Sequence, residues 1–271
     1  MTRHFPANPP EKAGYQLEFN EDFSGAKLNT QHWLPYYLPQ WCSREQSAAN
    51  YELTGHSLLL KIDKEQPYWP PQSKDQLRVS SLQTGVFSGP VGSTLGQHRI
   101  DDSWRVAQAQ VEQRLYTPQY GYFEIRAKAL ATQNNVCALW MIGFEDQPER
   151  SGEICIMEVN GAQVQPGSAV NGYGVKAFND PKLHGEFYQD RFEIEAPAFN
   201  IYAAEWRPGR VDFYINNLKV RSIPESPDYP MQLMLNVYET PVDVRLKRAD
   251  LQYPKRFEVD YIRVFQPVGG Y

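Results

Sequence analysis

The stretch SGEICIMEVNG, residues 151–161, decides the fold of this chain and where its chemistry lies. It is apolar and strand-like apart from two glutamates, Glu153 and Glu158, which flank Cys155. In a regular strand, residues i and i+2 share a face, so acids five positions apart point to opposite sides of the sheet. A regular strand would therefore bury one carboxylate among isoleucines.

A single β-bulge at Ile156 and Met157 removes this conflict. The extra residue returns Glu158 to the face of Glu153 and Cys155, while the isoleucines fill the core behind. Two carboxyl groups about 5–5.5 Å apart suit a retaining glycoside hydrolase, with one nucleophile and one general acid/base. Inverting enzymes need a wider gap that admits a water molecule. The stretch therefore predicts a bulged strand with two acids facing outward together.

The remaining sequence predicts strands joined by turns. Residues 15–23 and 257–267 alternate apolar and polar side chains, which is typical of half-buried strands. Residues 50–63 predict one hairpin, and residues 200–223 predict two, with an Asn-Asn pair that tolerates positive φ in the second turn. We find no convincing helix of ten or more residues and no linker that divides the chain. The prediction is a single all-β domain built as a sandwich of two antiparallel sheets, covering residues 15–271. Polar, Pro-rich residues 1–14 are predicted to form an N-terminal arm.

Composition excludes several functional classes. The formal net charge is −5 and no basic run occurs, so a nucleic-acid partner is not expected. No apolar stretch reaches the roughly 20 residues of a membrane span. The N-terminus has no apolar signal region, which predicts a cytoplasmic protein if the chain is complete and a secreted one if a signal was removed. Three cysteines without a CxxC pair predict free thiols in a chain that we expect to be a monomer.

Five motifs in order point to a family. EICIME (residues 153–158) lies among YGYFEIRAK, VCALWMIGFE, NIYAAEWRPGRVDFYIN and EVDYIRVFQ. Together they make the chain, from about residue 15 to residue 266, resemble glycoside hydrolase family 16 (laminarinase- and lichenase-like β-glucanases). Members of that family carry Glu-x-Asp-x-x-Glu on a bulged strand of a β-jelly roll. The resemblance implies a jelly-roll sandwich with a concave substrate cleft. It also implies retaining, endo-type hydrolysis of internal β-glycosidic bonds of a polysaccharide or oligosaccharide, foremost β-1,3- or β-1,3/1,4-glucan.

The resemblance also implies roles for the acids. Glu153 would be the nucleophile, and Glu158 the general acid/base, which must hold a proton near neutral pH. Cys155 stands where the family has its central Asp, and a neutral thiol adds neither a charge nor a strong hydrogen bond. Three interpretations of Cys155 remain open: a small apolar filler, a group that tunes the two acids, and a nucleophilic thiol.

Further positions match residues of the family's cleft. Glu124 and Arg126 would line the cleft, with a surface ion pair as the alternative. Trp140 would face the sugar or else belong to the core. Asn236 and Tyr238 would flank the cleavage point, or simply pack.

Four loop aromatics could contact sugar or only anchor their loops: Trp41, Tyr68, Trp69 and Trp104. HRIDD, residues 98–102, could form a second acidic centre or a solvated loop.

Cofactors and alternative functions complete the predictions. The chemistry requires no cofactor, but Asp260 resembles the Asp that helps to hold a structural calcium in many family members. A transglycosylase would use the same two acids with a sugar as acceptor. A carbohydrate-binding protein with decayed catalysis is the other alternative, motivated by Cys155 and by Val136, where the family often has a Trp-Pro pair.

Overall fold

The chain folds into two large antiparallel sheets that pack face to face. The computed structural model describes residues 4–70, 76–241 and 251–271. In these ranges the chain forms short 3-10 helices at Pro39–Trp41 and Gly161–Gln163, no α-helix, and no helix long and apolar enough to cross a membrane. The strands are β1 Tyr15–Glu21, β2 Tyr51–Leu53, β3 Leu58–Ile62, β4 Arg78–Gln83, β5 Gly85–Val86, β6 Gln113–Arg114, β7 Gly121–Lys128, β8 Asn135–Gly143, β9 Glu153–Asn160, β10 Val164–Gln165, β11 Ser168–Lys176, β12 Glu186–Phe192, β13 Asn200–Arg207, β14 Arg210–Ile215, β15 Leu218–Ile223, β16 Met231–Glu239 and β17 Lys255–Pro267.

We call the two sheets the front sheet and the back sheet. The front sheet has the order β10-β11-β9-β8-β16-β4, with β12 on the free edge of β11. The back sheet has the order β15-β14-β13-β7-β17-β3-β2, and β1 also pairs with β17. A small third sheet joins β5 and β6. These sheets confirm the predicted sandwich of antiparallel strands.

The core lies between the sheets. Phe123 and Ile125 on β7 face Leu139 on β8 and Ile154 on β9, and all four are fully buried. Burial of each such side chain contributes roughly 1.5–3 kcal/mol. Because side chains alternate along a strand, the residues between these core positions point to the outer faces of the sandwich.

The predicted hairpins form. β2 pairs with β3, and β13, β14 and β15 pair in succession. In the β14–β15 turn, Asn216 and Asn217 have φ of 50° and 66°. Asparagine tolerates this left-handed region, so the pair closes a tight two-residue turn as predicted.

The N-terminal arm lies against the back sheet. The Phe5 amide donates to the Phe199 carbonyl at 2.8 Å, and the Asn8 amide donates to the Tyr261 hydroxyl at 3.2 Å. Residues of the arm thus cover the outer face of β7 and β17. The predicted boundary between arm and domain stays a prediction.

Candidate active site

A β-bulge interrupts β9 where the sequence predicts it. Leu139 on β8 pairs with Met157, but the next residue, Trp140, pairs with Cys155, which leaves Ile156 as the extra residue. The same shift recurs against β11 on the other side of the strand. The predicted bulge is confirmed.

The bulge sorts the side chains of β9 between two environments. Ile154 and Ile156 point into the core between the sheets. Glu153 and Glu158 line a cavity on the outer face of the front sheet, and Cys155 lies in the apolar cluster beneath it. Two acids five positions apart therefore meet on one wall.

Asn171 on the neighbouring strand holds the bulge. Its buried side chain accepts a hydrogen bond from the Glu158 amide at 3.0 Å and donates one to the Ile156 carbonyl at 3.4 Å. These are backbone groups that the irregular pairing would otherwise leave unsatisfied. Glycine at position 172 leaves room, because a Cβ there would lie 3.1 Å from the Glu158 Cβ.

The cavity crosses the front sheet from β11 to β16 and has a volume of about 250 Å³. Its residues come from four strands and from the loops that surround them. Besides the two acids, its wall includes Tyr37, His98, Trp140, Lys176 and Tyr238. The predicted concave cleft is therefore present on this face.

Lys176 ties the two acids together. It is the cross-strand partner of Glu153, and its Nζ lies 2.7 Å from Glu153 Oε1 and 4.0 Å from Glu158 Oε2. These two carboxylate oxygens can therefore be separated by no more than the sum of those distances, roughly 7 Å. This bound admits the retaining separation of about 5–5.5 Å and excludes most of the inverting range of about 6.5–9.5 Å.

Burial and charge oppose each other at the ion pair. Burial raises the pKa of Glu153, while the charge and hydrogen bond of Lys176 act in the opposite direction, and burial prevails. Burial is the largest single influence on the pKa of Lys176 and lowers it, but the charges of Glu153, Cys155 and Glu158 and the hydrogen bond to Glu153 together raise this pKa overall. The lysine therefore stays protonated and is the group that favours an ionised Glu153.

Cys155 lies between the acids as a neutral thiol. It is 1% exposed, and its Sγ lies 3.7 Å from the Gly172 carbonyl oxygen and 4.0 Å from Glu158 Oε2. Burial, followed by the charges of Glu158 and Glu153, raises its pKa well above the ordinary value. Because the thiolate is the nucleophilic form, burial and the raised pKa favour the interpretation of Cys155 as a small apolar filler.

Three of the predicted sugar-binding residues lie on the front sheet. Trp140 and Tyr238 line the cavity, and the Tyr238 hydroxyl donates to the Tyr37 hydroxyl at 3.2 Å. Asn236 does not reach the cavity surface: it is fully buried and accepts a hydrogen bond from Trp140 Nε1 at 2.5 Å. Asn236 therefore orients the indole, which corrects the expectation that it contacts sugar.

Glu124 and Arg126 do not belong to the cleft. Both lie on β7 of the back sheet and share its outer face, where the arm covers them. Glu124 accepts from Asn8 Nδ2 at 2.9 Å, and Arg126 donates to the Phe5 carbonyl through two nitrogens. The prediction that this pair lines the cleft is wrong, because β7 belongs to the opposite sheet.

The surroundings of Asp260 do not fit a calcium site. Its carboxylate pairs with Arg126 Nη1 at 2.5 Å, so a guanidinium holds the place that a cation would take. In the described ranges, no group of three or more His, Cys, Asp or Glu residues could hold a metal ion.

The loop aromatics mostly anchor their loops. Trp41, Trp69 and Trp104 are buried, with Trp104 in ring contact with both of the others, in an apolar cluster beneath the cleft. Tyr68 lies beneath the guanidinium of Arg78. Of the two interpretations of Trp41, Trp69 and Trp104, their burial favours loop anchoring over contact with sugar.

Sequence reasoning did not assign four residues to this site, although His98 belongs to the HRIDD stretch considered above. Lys176, Asn171, Tyr37 and His98 lie outside the motif and reach it through strand register or loop folding. A lone lysine that ends the strand SAVNGYGVK is the sole signal that could have suggested a charge partner for the acids.

Known proteins resemble this chain both in a family model and in a curated sequence. The family model described as Glycosyl hydrolases family 16 matches residues 107–262, more than half of the chain. A β-glucanase from Acetivibrio thermocellus is 28% identical over 151 residues, which cover 54% of this chain and 42% of that protein.

Solved structures extend the likeness to almost the whole chain. A GlcNAcα1-4Gal releasing endo-β-galactosidase from Clostridium perfringens has a TM-score of 0.83 and 32% identity, covering 98% of this chain and 66% of that chain. A laminarinase from Flavobacterium sp. UMI-01 has a TM-score of 0.61 and 21% identity, covering 93% and 100%. The shared architecture confirms the predicted β-jelly roll. The chain spans less than half of the β-glucanase and about two thirds of the endo-β-galactosidase chain.

Proposed function

The chain belongs to glycosyl hydrolases family 16, and we propose that it is a retaining endo-glycosidase with Glu153 as nucleophile and Glu158 as general acid/base. One observation carries the proposal: both carboxylates line one open cavity within reach of a single ammonium group. Asn171, which fixes the bulge, makes this arrangement part of the fold.

The reaction takes two displacements. Glu158 gives its proton to the leaving glycosidic oxygen while Glu153 Oε attacks the anomeric carbon, which forms a covalent glycosyl-enzyme and releases the reducing-end fragment. Glu158, now a carboxylate, then takes a proton from water as the hydroxide attacks the same carbon and frees Glu153. Two inversions give net retention.

Lys176 supplies the charge that this site needs. Glu153 is 4% exposed, and a buried carboxylate without a partner would take up a proton and lose its nucleophilicity. We propose that Cys155 occupies the position of the family's central Asp and that Lys176 takes over the electrostatic control of the acids. Once glycosylation neutralises Glu153, Lys176 is 4.0 Å from the base that activates water.

The bond that is cleaved is an internal β-glycosidic bond, and two substrate classes compete. The β-glucanase relative favours a β-glucan, and the sequence motifs place β-1,3- and β-1,3/1,4-glucan foremost within that class. The endo-β-galactosidase shares more identity with this chain and covers nearly all of it, which favours a β-galactoside. We place the β-galactoside first and the glucan second.

A glycan panel tests both choices. New reducing ends are measured on laminarin, lichenan, curdlan, xyloglucan, agarose, carrageenan and β-galactoside oligosaccharides, with Glu153→Gln in parallel. Glu124→Gln is the matched control, because it removes a buried carboxylate on the opposite sheet. Cleavage that is lost only in Glu153→Gln supports the proposal, and no cleavage of any glycan rejects it. Added acceptor sugar separates hydrolysis from transglycosylation by the length of the products.

A further inference from the structure

The short segment that leads into β9 is attached to the rest of the fold at consecutive residues. Lys176, the last residue of β11, contacts the Glu153 carboxylate at 2.7 Å. Three residues further along the chain, the Asn179 amide donates to Ser151 Oγ at 2.9 Å. Gly152 lies between these two attachment points and is the residue immediately before the candidate nucleophile. Whatever holds its backbone therefore helps to place Glu153.

A buried tyrosine binds the Gly152 amide. The Gly152 N–H donates to the Tyr229 hydroxyl at 2.7 Å, and this hydroxyl donates to Asp180 Oδ2 at 2.7 Å. Both side chains are buried. Because a backbone N–H can only donate and a carboxylate can only accept, the hydroxyl proton points to Asp180 and a lone pair points to Gly152. Asp180 therefore orients the hydroxyl group that holds Gly152.

Two glycines make room for the phenol ring. A Cβ at position 152 would lie 2.5 Å from the Tyr229 hydroxyl oxygen, and a Cβ at position 143 would lie 2.9 Å from Cε2 of the same ring. Glycine permits such a close approach because it has no Cβ. The Gly143 amide also donates to the Gly152 carbonyl at 3.0 Å. Both backbone groups of the residue before Glu153 are thus hydrogen-bonded.

This arrangement affects the reaction through the position of the nucleophile. Lys176 contacts the carboxylate end of the Glu153 side chain, whereas Gly152 helps to fix its backbone end. Reacting atoms must lie about 3–3.5 Å apart, and a misplacement of about 1 Å can cost on the order of 10² fold in rate. After the first displacement, a covalent bond joins Glu153 to the sugar. The second displacement therefore depends less on this support.

We propose that Tyr229 and Asp180 are positioning residues for the nucleophile and that they act on Glu153 through the Gly152 amide. The inference rests on the proposed function for the role of Glu153. It adds to that function two side chains from the loops that follow β11 and precede β16.

The rate of the first displacement tests this role. Tyr229→Phe keeps the ring and removes only the hydroxyl group. The enzyme is inactivated with an activated 2-deoxy-2-fluoro aryl glycoside, whose phenolate leaves as Glu153 Oε bonds to the anomeric carbon. We expect the inactivation rate constant to fall about tenfold to a hundredfold in Tyr229→Phe. The dissociation constant of the initial complex and the rate constant of reactivation should change less than about twofold.

Two results with Tyr229→Phe would overturn the proposal. One is an inactivation rate constant equal to that of the unsubstituted enzyme. The other is an equal fall in inactivation and reactivation, because a general loss of structure would slow both displacements.

Tyr173→Phe is the matched control. Tyr173 is also a buried tyrosine on the front sheet that donates to an aspartate, Asp190, at 2.5 Å. Its hydroxyl group accepts from Arg221 instead of from the segment before β9. The inactivation rate constant of this variant should stay within about twofold of the original value. A loss as large as that of Tyr229→Phe would contradict a specific role for Tyr229.

A double variant tests whether Asp180 acts through Tyr229. Asp180→Ala removes the acceptor that orients the hydroxyl group, so it should slow inactivation less than Tyr229→Phe does. In the Tyr229→Phe background it should cause no further loss, because residues that act through one contact are not additive. Losses that multiply in the double variant contradict the assignment of Asp180.

Amide hydrogen exchange provides a readout that does not depend on activity. In Tyr229→Phe, the Gly152 amide loses its acceptor and should exchange faster, while the central strands of the back sheet keep their protection. Faster exchange across both sheets would show a general structural effect and overturn the proposal. An unsubstituted protein that no fluoro glycoside labels rejects the proposed function itself. Equal inactivation of Tyr229→Phe and the unsubstituted enzyme rejects the positioning role alone.

Discussion

Each sheet of this sandwich carries a carboxylate beside a cation: the front pair lines the candidate active-site cavity, and the N-terminal arm contacts the back pair. On the front sheet, Glu153 contacts Lys176 at 2.7 Å in the wall of the cavity. On the back sheet, Asp260 contacts Arg126 at 2.5 Å beneath the N-terminal arm. The residue types are similar, and the difference lies in what covers them.

The arm makes the back pair structural. Arg126 donates to the Phe5 carbonyl as well as to Asp260, so its guanidinium fastens the arm to the sheet. Glu124, on the same outer face of β7 as Arg126, accepts from Asn8 of the arm and is 2% exposed. An accessible cavity and a second carboxylate, rather than the ion pair itself, distinguish the candidate active site from the structural Arg126–Asp260 pair.

Removal of the carboxylate gives the largest contrast between the sheets. Glu153→Gln should lower kcat on the best substrate by on the order of 10⁴ to 10⁶ fold, because no nucleophile remains. Glu124→Gln should change kcat no more than a few-fold. Initial rates of reducing-end release measure both, and comparable losses in the two variants would erase the distinction.

The second acid of the front sheet should behave as a proton donor. Glu158→Gln should lower kcat by about 10² to 10⁴ fold on a natural glycan. For an aryl glycoside whose phenol leaves without protonation, the rate of the first displacement should fall much less in this variant. Equal losses on both substrates, measured by phenol release and reducing ends, would contradict the assigned role.

Neutralising the two cations should separate catalysis from stability. Lys176→Met removes the charge that lowers the pKa of Glu153, so this pKa rises further and the acidic limb of the kcat/KM profile moves to higher pH. At neutral pH, kcat/KM should fall by roughly tenfold to a hundredfold, and Lys176→Arg should keep the limb near its original position. A limb that does not move in Lys176→Met removes the lysine from the mechanism.

Arg126→Met is the matched variant on the back sheet. It leaves the pH profile unchanged and reduces the free energy of unfolding by about 1–3 kcal/mol, because it releases the arm and leaves Asp260 without its partner. Thermal unfolding measures the loss. A shifted pH profile in this variant would show that the Arg126–Asp260 pair influences the active site.

The smallest effect is expected at Cys155. Cys155→Ala should keep kcat/KM within a few-fold, because the thiol is neutral and carries no step of the reaction. Thiol reagents should not inactivate the folded enzyme, since the side chain is 1% exposed. Inactivation that Cys155→Ala prevents would restore the thiol to the site chemistry.

The sandwich, the hairpins and the bulge could be predicted from the sequence because they depend on local patterns. The spacing of Glu153 and Glu158 conflicts with a regular strand, and a bulge resolves that conflict. Asn216 and Asn217 predict a tight turn because asparagine tolerates positive φ.

Sequence alone could not show which outer face becomes the cleft. Alternation along β7 correctly placed Glu124 and Arg126 on one face, but a period of two does not tell which sheet the strand joins. Lys176 meets Glu153 only through the register of β11 against β9. His98 reaches the candidate active-site cavity through a loop, and loop conformation leaves no periodic signal.

Trapping the covalent intermediate tests the central assignment most directly. The protein is incubated with an activated 2-deoxy-2-fluoro glycoside of the best substrate, which slows the second displacement, and the labelled peptide is located by mass spectrometry. The two-carboxylate mechanism predicts one sugar per chain, attached to Glu153, and none in Glu153→Gln. A label on Glu158 or Cys155, or persistent labelling of Glu153→Gln, would contradict it.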